Sequence, residues 1–254
     1  MALKQVTGER IPYGMKFGAG STLFIVFLLL TPINFFIDSI WMGQKVAGSQ
    51  WLSNIIVLLL FLLFYKKGTR RLRRLMRYGI PIAIFGETLF SQVLGMYEYR
   101  LGSIPIYVFL GHSVVYATVY LLVREDWFKE SKIVQPLMLL GSTALAFYWL
   151  VKWSDLLGFL CFAGILLVYH RAGSNRLFYL TMLCVVAYLE LLGTFFGCWY
   201  WPDYWFGTVT WMPSGNPPTG IALVYFLFDL GCLWIYKHRN IIAWRRMRRI
   251  QRLR

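Results

Sequence analysis

The sequence predicts an all-α, polytopic membrane bundle of eight transmembrane helices with both termini cytoplasmic. Three observations carry that prediction. Apolar residues make up 58% of the 254 positions and charged residues only 15%, with a mean hydropathy of +0.56. Soluble domains average about 25% charged residues, and a chain this apolar has more surface to hide than a water-soluble globule can bury. The apolar residues fall into eight stretches, near 18–38, 50–65, 78–96, 104–123, 133–151, 154–170, 177–197 and 217–236. Lysine and arginine, which produce a net charge of +15, lie between those stretches with a strong alternation.

The first stretch, 18–38, is long, contains Pro32 and Asn34, and ends without a small-x-small cleavage site, so it reads as an uncleaved helix rather than a signal peptide. The second and sixth are short, and suit upright or sheltered helices. The others approach the ~20 residues that span about 30 Å of hydrocarbon. Helices are expected because a span in lipid must satisfy its own backbone hydrogen bonds. Eight crossings with a cytoplasmic N-terminus put 23 of the 26 Lys and Arg on the inner side, leaving Lys45, Arg100 and Lys152 outside. The chain therefore reads as one membrane domain, 1–254, ending in a basic cytoplasmic tail at 237–254. That tail and the run from Lys67 to Arg77 suit anionic lipid headgroups on the inner leaflet. Basic charge confined to such segments does not suggest nucleic acid. Composition excludes disorder, and four cysteines do not make a disulfide scaffold. Cys161, Cys184 and Cys232 read as packing residues within spans, and Cys198 has no evident partner.

A weak internal repeat organises the rest. Gly86-Glu87, Ser91, Gly95, Tyr97, Tyr99, Gly102, Pro105, Gly111-His112 and Tyr116 match Leu189-Glu190, Thr194, Gly197, Trp199, Trp201, Gly207, Pro213, Gly215-Asn216 and Tyr225. The matching elements are four spans apart and share an orientation. This predicts a parallel duplication, 18–123 and 133–236, about an axis along the membrane normal. It would gather spans three, four, seven and eight around that axis, with an aromatic vestibule at their outer ends.

Charges within a bilayer cost at least about 2.5–3.5 kcal/mol at mid-helix. Glu87, Glu190, His112 and Asp229 are therefore the candidate catalytic residues, and all four fall in the duplicated elements. Asp38 and Asp155 sit at span ends, where water would solvate them. Carboxylic acids among apolar side chains are general acids or proton carriers. Tyr97, Tyr99, Trp199, Trp201, Asn216 and Trp211 are the candidate substrate-binding residues. The aromatic loop from Gly197 to Gly207 contains no Lys or Arg, and suits a polyene or a carbocation through stacking and cation–π attraction rather than a sugar phosphate. Arg100 is expected to pair with Glu98. Metal-ligand spacing such as Glu-x-x-His is absent, as are a P-loop, a dinucleotide glycine motif, a Gly-x-Ser-x-Gly elbow and Cys-x-x-Cys. Neither a metal nor a cofactor is expected.

Glu190-x-x-Gly193-Thr194-x-x-Gly197-x-Trp199-x-Trp201 resembles a pattern of the bacterial membrane carotenoid hydratases: a glutamate, spaced glycines and two alternating aromatics before a loop with proline. The similarity covers roughly thirty residues, and this chain has Trp at both aromatic positions. Small membrane terpene cyclases look like a parallel solution. The resemblance implies a cofactor-independent enzyme of the bacterial inner membrane that protonates a double bond of a membrane-borne polyprenoid, with Glu190 as first acid and Glu87 as second. Two other readings stay open. One is a non-catalytic membrane subunit that binds a protein partner or lipid; the other is a small proton-coupled transporter.

Overall fold

The computed structural model describes residues 18–241, without the side chains of Ser174 and residues 227–229. The protein is mainly helical. Its α-helices are α1 Ala19–Ile37, α2 Ile40–Lys45, α3 Ser49–Lys67, α4 Arg70–Glu87, α5 Ile106–Leu122, α6 Asp126–Glu130, α7 Val134–Trp153, α8 Leu156–Arg171, α9 Arg176–Phe195 and α10 Ala222–Arg239. A π-helical segment, Thr88–Val93, continues α4. Four short strands, β1 Glu98–Tyr99, β2 Trp199–Tyr200, β3 Tyr204–Trp205 and β4 Val209–Pro213, lie at one end of the bundle, here called the hairpin end.

Local chemistry sets the helix limits. Ser39 caps α2 by accepting from Met42 N, Thr69 caps α4 by accepting from Leu72 N at 3.2 Å, and Asp155 caps α8 by accepting from Gly158 N at 3.0 Å. The third predicted span, 78–96, starts earlier than its apolar content suggests. With Thr69 as cap, Leu72, Leu75 and Met76 bury one face of the basic run while its arginines line the other. Arg71 lies over the Tyr236 ring, Arg73 over Tyr65, and Arg74 donates to Asn240. The eighth predicted span starts later, at Ala222, because 217–221 is held as a loop.

Among the described residues four helices, α1, α3, α7 and α9, are long and apolar enough to cross a membrane. Helices α5 and α8 are apolar but shorter. Helix α4 packs on α5 and α10, and α9 packs on the same two, so α4, α5, α9 and α10 close a four-membered ring. Helices α1 and α3 brace α5, while α7 and α8 brace α9. Of the residues of α7 only Ala146 is buried, whereas Ile133 beside it and Leu137, Leu140 and Val151 within it are largely exposed. A contiguous apolar face of that extent suits hydrocarbon better than water.

Candidate functional site

At the hairpin end β1 pairs antiparallel with β2, Glu98 opposite Tyr200 and Tyr99 opposite Trp199. One strand follows α4 and the other follows α9, so this two-stranded sheet joins the two halves of the chain. Alternate side chains of a strand point to opposite faces. Glu98 and Tyr200 point away from the bundle and are exposed; Tyr97, Tyr99 and Trp201 point inward and are buried, and Trp199 is partly so. The inward rings pack together, with centroids 4.6 Å apart for Tyr97 and Trp201, 5.7 Å for Tyr97 and Tyr99, and 5.1 Å for Trp199 and Phe35 of α1.

Beneath the rings lie Glu87 and Glu190, 3% and 4% exposed. Glu87 Oε2 accepts from the Tyr97 hydroxyl at 2.7 Å and the Tyr99 hydroxyl at 2.6 Å, and its Oε1 is 2.6 Å from His112 Nε2. Glu190 Oε2 accepts from the indole N–H of Trp199 at 2.9 Å and of Trp201 at 3.1 Å, and its Oε1 faces the Tyr225 hydroxyl at 3.2 Å. Each glutamate thus holds two alternate aromatics of the strand that follows it, plus one side chain of the next long helix. The rings of those two helix residues, His112 and Tyr225, are 4.9 Å apart.

The spacings differ by one residue. Tyr97 and Tyr99 follow Glu87 by 10 and 12, whereas Trp199 and Trp201 follow Glu190 by 9 and 11. A π-helical turn holds one residue more than an α-turn, and the π segment directly after Glu87 takes up the difference. Gly193 has the complementary role in α9. A Cβ there would lie 2.1 Å from the Trp199 ring, so only glycine lets the indole lie against the helix and reach Glu190.

Both glutamates face one cavity with about 100 Å³ of free interior. Its walls are mostly apolar and come from α1, α3, α5, α9 and α10, including Phe27, Leu60, Val114, Val115 and Leu189. None of its lining comes from α7 or α8, so the space leans toward α1 and α3 instead of lying on the axis of the ring. Burial, and next the neighbouring Glu87 carboxyl, push the Tyr97 hydroxyl well above the ordinary phenol range; the Tyr99 hydroxyl is displaced the same way for the same reasons. Both remain hydrogen-bond donors at neutral pH.

Several expectations need correction. Glu87 falls at the centre of the predicted stretch 78–96, but not at the middle of a helix. It closes α4, at a depth comparable to Glu190, which lies in the last turns of α9. Asn216 is not the counterpart of His112. It is exposed, and its Oδ1 accepts from the Trp201 backbone N–H at 3.0 Å, positioning the strand. The second connection carries an added hairpin, β3–β4, and this displaces the counterpart to Tyr225, 35 residues after Glu190, against 25 from Glu87 to His112. Trp211 sits in β4, 70% exposed and away from the cavity. Asp229 falls in α10, but its side chain is outside the described residues, as is most of the basic tail, 242–254.

Asp38 and Asp155 are not solvated at all; both are fully buried. Asp38 pairs with Arg100 at 2.7 Å, displacing the expected Glu98 partner, and accepts from Tyr107 at 2.7 Å and Gln50 at 3.2 Å. Asp155 accepts from the backbone N–H of Gly158, Gly215 and Thr219 and from the Thr219 hydroxyl, at 2.8–3.0 Å. Each aspartate lies in the turn between the first two long helices of its half. Each ties down the segment leading into the last helix of that half. Cys198 is also fully buried, its thiol against the Phe35 carbonyl at 3.3 Å, and burial pushes its pKa up.

Two lining residues, Gly111 and Asn34, are not among the candidate site residues of the sequence. Gly111 of α5 faces open space, with nothing within 4 Å of where a Cβ would stand. Asn34 of α1 lines the cavity at 3% exposure. Among the described residues, no group of three or more His, Cys, Asp or Glu is arranged to hold a metal ion. A scan against models of known families, a search of curated proteins and a search of solved structures each found no match.

Proposed function

We propose that the chain is an eight-span protein of the bacterial inner membrane, with both termini cytoplasmic. On this reading it is built from two parallel four-helix units and is an enzyme that acts on a lipophilic, isoprenoid-like molecule by acid-initiated hydration or cyclisation of a double bond. The topology is supported by eight long helices among the described residues that match the apolar stretches, and by the arginine-rich start of α4 at the end opposite the hairpins. The duplication is supported by the two glutamate clusters, alike in layout and connection though not in donor type, and by the paired roles of Asp38 and Asp155.

One observation carries the catalytic reading: two buried carboxyls with different partners share one apolar cavity. Indole N–H groups only donate, so Oε2 of Glu190 is occupied as an acceptor, and the proton of a neutral Glu190 belongs on Oε1, beside Tyr225. Transfer of that proton to an alkene carbon leaves a tertiary cation. The faces of Tyr97, Tyr99, Trp199 and Trp201 stabilise such a charge, each contact contributing on the order of 0.5–2 kcal/mol. In hydration, water then forms the C–O bond and the Glu87–His112 pair takes its proton, so that alkene plus water becomes alcohol. In cyclisation a second double bond captures the cation, and the same pair removes the proton that restores an alkene. Tyr225, between Glu190 and the His112 ring, is the group suited to returning the proton.

The free interior suits the end of an isoprenoid chain, with the remainder in lipid, rather than a whole long polyene. The direct test is lipid extraction and mass spectrometry on cells expressing the protein. Wild type should yield a hydrated or cyclised isoprenoid, and Glu190→Gln, which keeps the shape and the indole contacts, should fold, insert and yield none. Full product from Glu190→Gln would remove the mechanism.

A second reading is favoured by one feature: the carboxyl oxygens of both glutamates are all engaged by the chain's own side chains. As pure clasps they would hold the strands over the bundle of a non-catalytic subunit. Stoichiometric co-purification of a partner protein, with no lipid-derived product, would favour it.

A further inference from the structure

Three polar side chains line the cavity outside the two glutamate clusters, and Thr31 and Tyr107 spend their hydroxyls on the Phe27 carbonyl and on Asp38, which leaves Asn34. Asn34 is 3% exposed, and its side-chain Oδ1 is buried with no hydrogen-bond partner among the described residues. Its backbone carbonyl, by contrast, accepts from both Asp38 N and Ser53 Oγ. Buried side-chain acceptors are almost always paired, because an unpaired one loses its hydrogen bonds to water without replacement. A polar side chain in this setting therefore points to a donor that arrives with a ligand.

The surroundings orient that ligand. Phe27, Thr31 and Asn34 recur at the spacing that stacks side chains on one helix face, and all three line the cavity. At 1.5 Å rise per residue the stripe is ~10 Å long. Its Asn34 end lies by the hairpins, since the adjacent Phe35 ring contacts Trp199 and the Phe35 carbonyl contacts Cys198. Thr31 spends its hydroxyl proton on the Phe27 carbonyl at 2.7 Å. Helices α3 and α5 start at the hairpin end, and the lining residues farther along them, Val57, Leu60, Val114 and Val115, are all apolar. The space is thus polar at the hairpin end and apolar inward.

We propose that Asn34 is the acceptor for a hydroxyl carried by the ligand, and that the ligand is an isoprenoid alcohol rather than a pure hydrocarbon. Its hydroxyl donates to Asn34 Oδ1 beside the two carboxyls, and its chain runs toward Phe27 and Leu60. This rests on the reading of the cavity as a site for a lipophilic molecule. It deepens that reading by naming the functional group, whether the alcohol is substrate or product. The recognition is of a kind that discriminates well, because a ligand without the hydroxyl leaves the buried acceptor unpaired.

The test is equilibrium binding to the full chain in nanodiscs, in mole-fraction units, of a radiolabelled C15 isoprenoid alcohol and of the hydrocarbon with the same skeleton. Wild type should bind the alcohol about tenfold more tightly or better. Asn34→Leu, similar in shape, should bring the two within about twofold while hydrocarbon affinity holds. Gly111→Leu, which fills the cavity, should abolish binding of both. Equal affinities in wild type overturn the proposal while leaving the cavity reading intact, and this comparison does not depend on any variant folding. A preference that survives Asn34→Leu also overturns it, placing the hydroxyl elsewhere. No binding of either probe to wild type, or undiminished binding to Gly111→Leu, removes the cavity reading and this proposal with it.

Discussion

Gly193→Ala and Gly111→Ala are the same chemical change in two helices that flank one cavity, and the geometry requires opposite results. At position 193 the added methyl would stand 2.1 Å from the Trp199 ring, where ordinary contact begins at 3.4 Å, so the ring must retreat by about 1.3 Å. A 2.9 Å hydrogen bond from the indole to Glu190 does not survive a displacement of that size. Losing it costs about 1–3 kcal/mol, and disturbing the edge contact with Phe35 costs about 0.5–1.5 kcal/mol more. Alanine gives back up to ~1 kcal/mol of helix propensity. The net destabilisation is then about 0.5–4.5 kcal/mol. At position 111 the methyl meets nothing within 4 Å, so only the propensity gain remains and stability should hold or rise by up to ~1 kcal/mol. Thermal unfolding in detergent, with the ¹⁵N indole resonances of Trp199 and Trp201 as local reporters, measures both. Equal stability of the two variants, with the Trp199 indole resonance unmoved in Gly193→Ala, would refute the packing of Trp199 against α9 and with it the account of the Glu190 cluster.

Three further expectations follow from the buried charges and phenols. Asp155→Ala leaves the N–H groups of Gly215 and Thr219 without their acceptor, and should cost about 2–6 kcal/mol, read as a lowered unfolding temperature and faster proteolysis within 203–217; an unchanged protease pattern would contradict the tether. Arg100→Met leaves Asp38 as a buried charge without its cation and should cost about 3–5 kcal/mol, whereas Arg100→Met with Asp38→Asn should recover at least half; additive losses would mean the two residues do not act as a pair. Tyr97 and Tyr99 have folded pKa values raised above the unfolded phenol value, so the stability they contribute is complete below about pH 10 and is lost as pH rises beyond it. Spectrophotometric titration to pH 11 should give the same tyrosinate signal in wild type and in Tyr97→Phe with Tyr99→Phe, and a smaller signal in the variant would show that these phenols ionise.

The positions of Glu87, Glu190 and His112 were legible because a charged or polar side chain inside an apolar run is conspicuous, and the four alternating aromatics because they follow the glutamates at near-equal spacing. The ring of α4, α5, α9 and α10 followed from the same repeat. What escaped did so for identifiable reasons. Asp38 and Asp155 lie at helix ends, where a carboxylate usually meets water; their partners are backbone N–H groups and an arginine from segments 60 or more residues away, which no local pattern signals. The ten-residue difference between the Glu190–Tyr225 and Glu87–His112 separations disguised Tyr225, because glycine and asparagine in the longer loop imitated the Gly-His pair. Trp211 stands out in the sequence by aromatic density, which does not distinguish the inward strand from the exposed hairpin. Asn34 was visible as a polar residue in α1, but its lack of a partner is a property of packing alone.

The inequality of the two clusters bears on what a site with two carboxyls can do. Were the halves identical, both carboxyls would hold the same donors, and neither would be distinguished as acid or base. Here the Glu190 oxygen nearest the strand is occupied by two indoles, which cannot accept a proton in exchange. Glu87 instead pairs with an imidazole, which can take one up. A proton leaving the site therefore has somewhere to go on the Glu87 side and nowhere on the indole side, while Tyr225 and His112 bring the two halves into ring contact. The proposed division, with Glu190 as acid and Glu87–His112 as base, follows from that difference in donor chemistry. Exchanging it is the most demanding check: His112→Phe should keep the bundle folded and the cavity open yet slow turnover on the order of 10²–10⁴-fold, the usual contribution of a positioned acid or base, and near-normal turnover would show that the imidazole only fastens the helices.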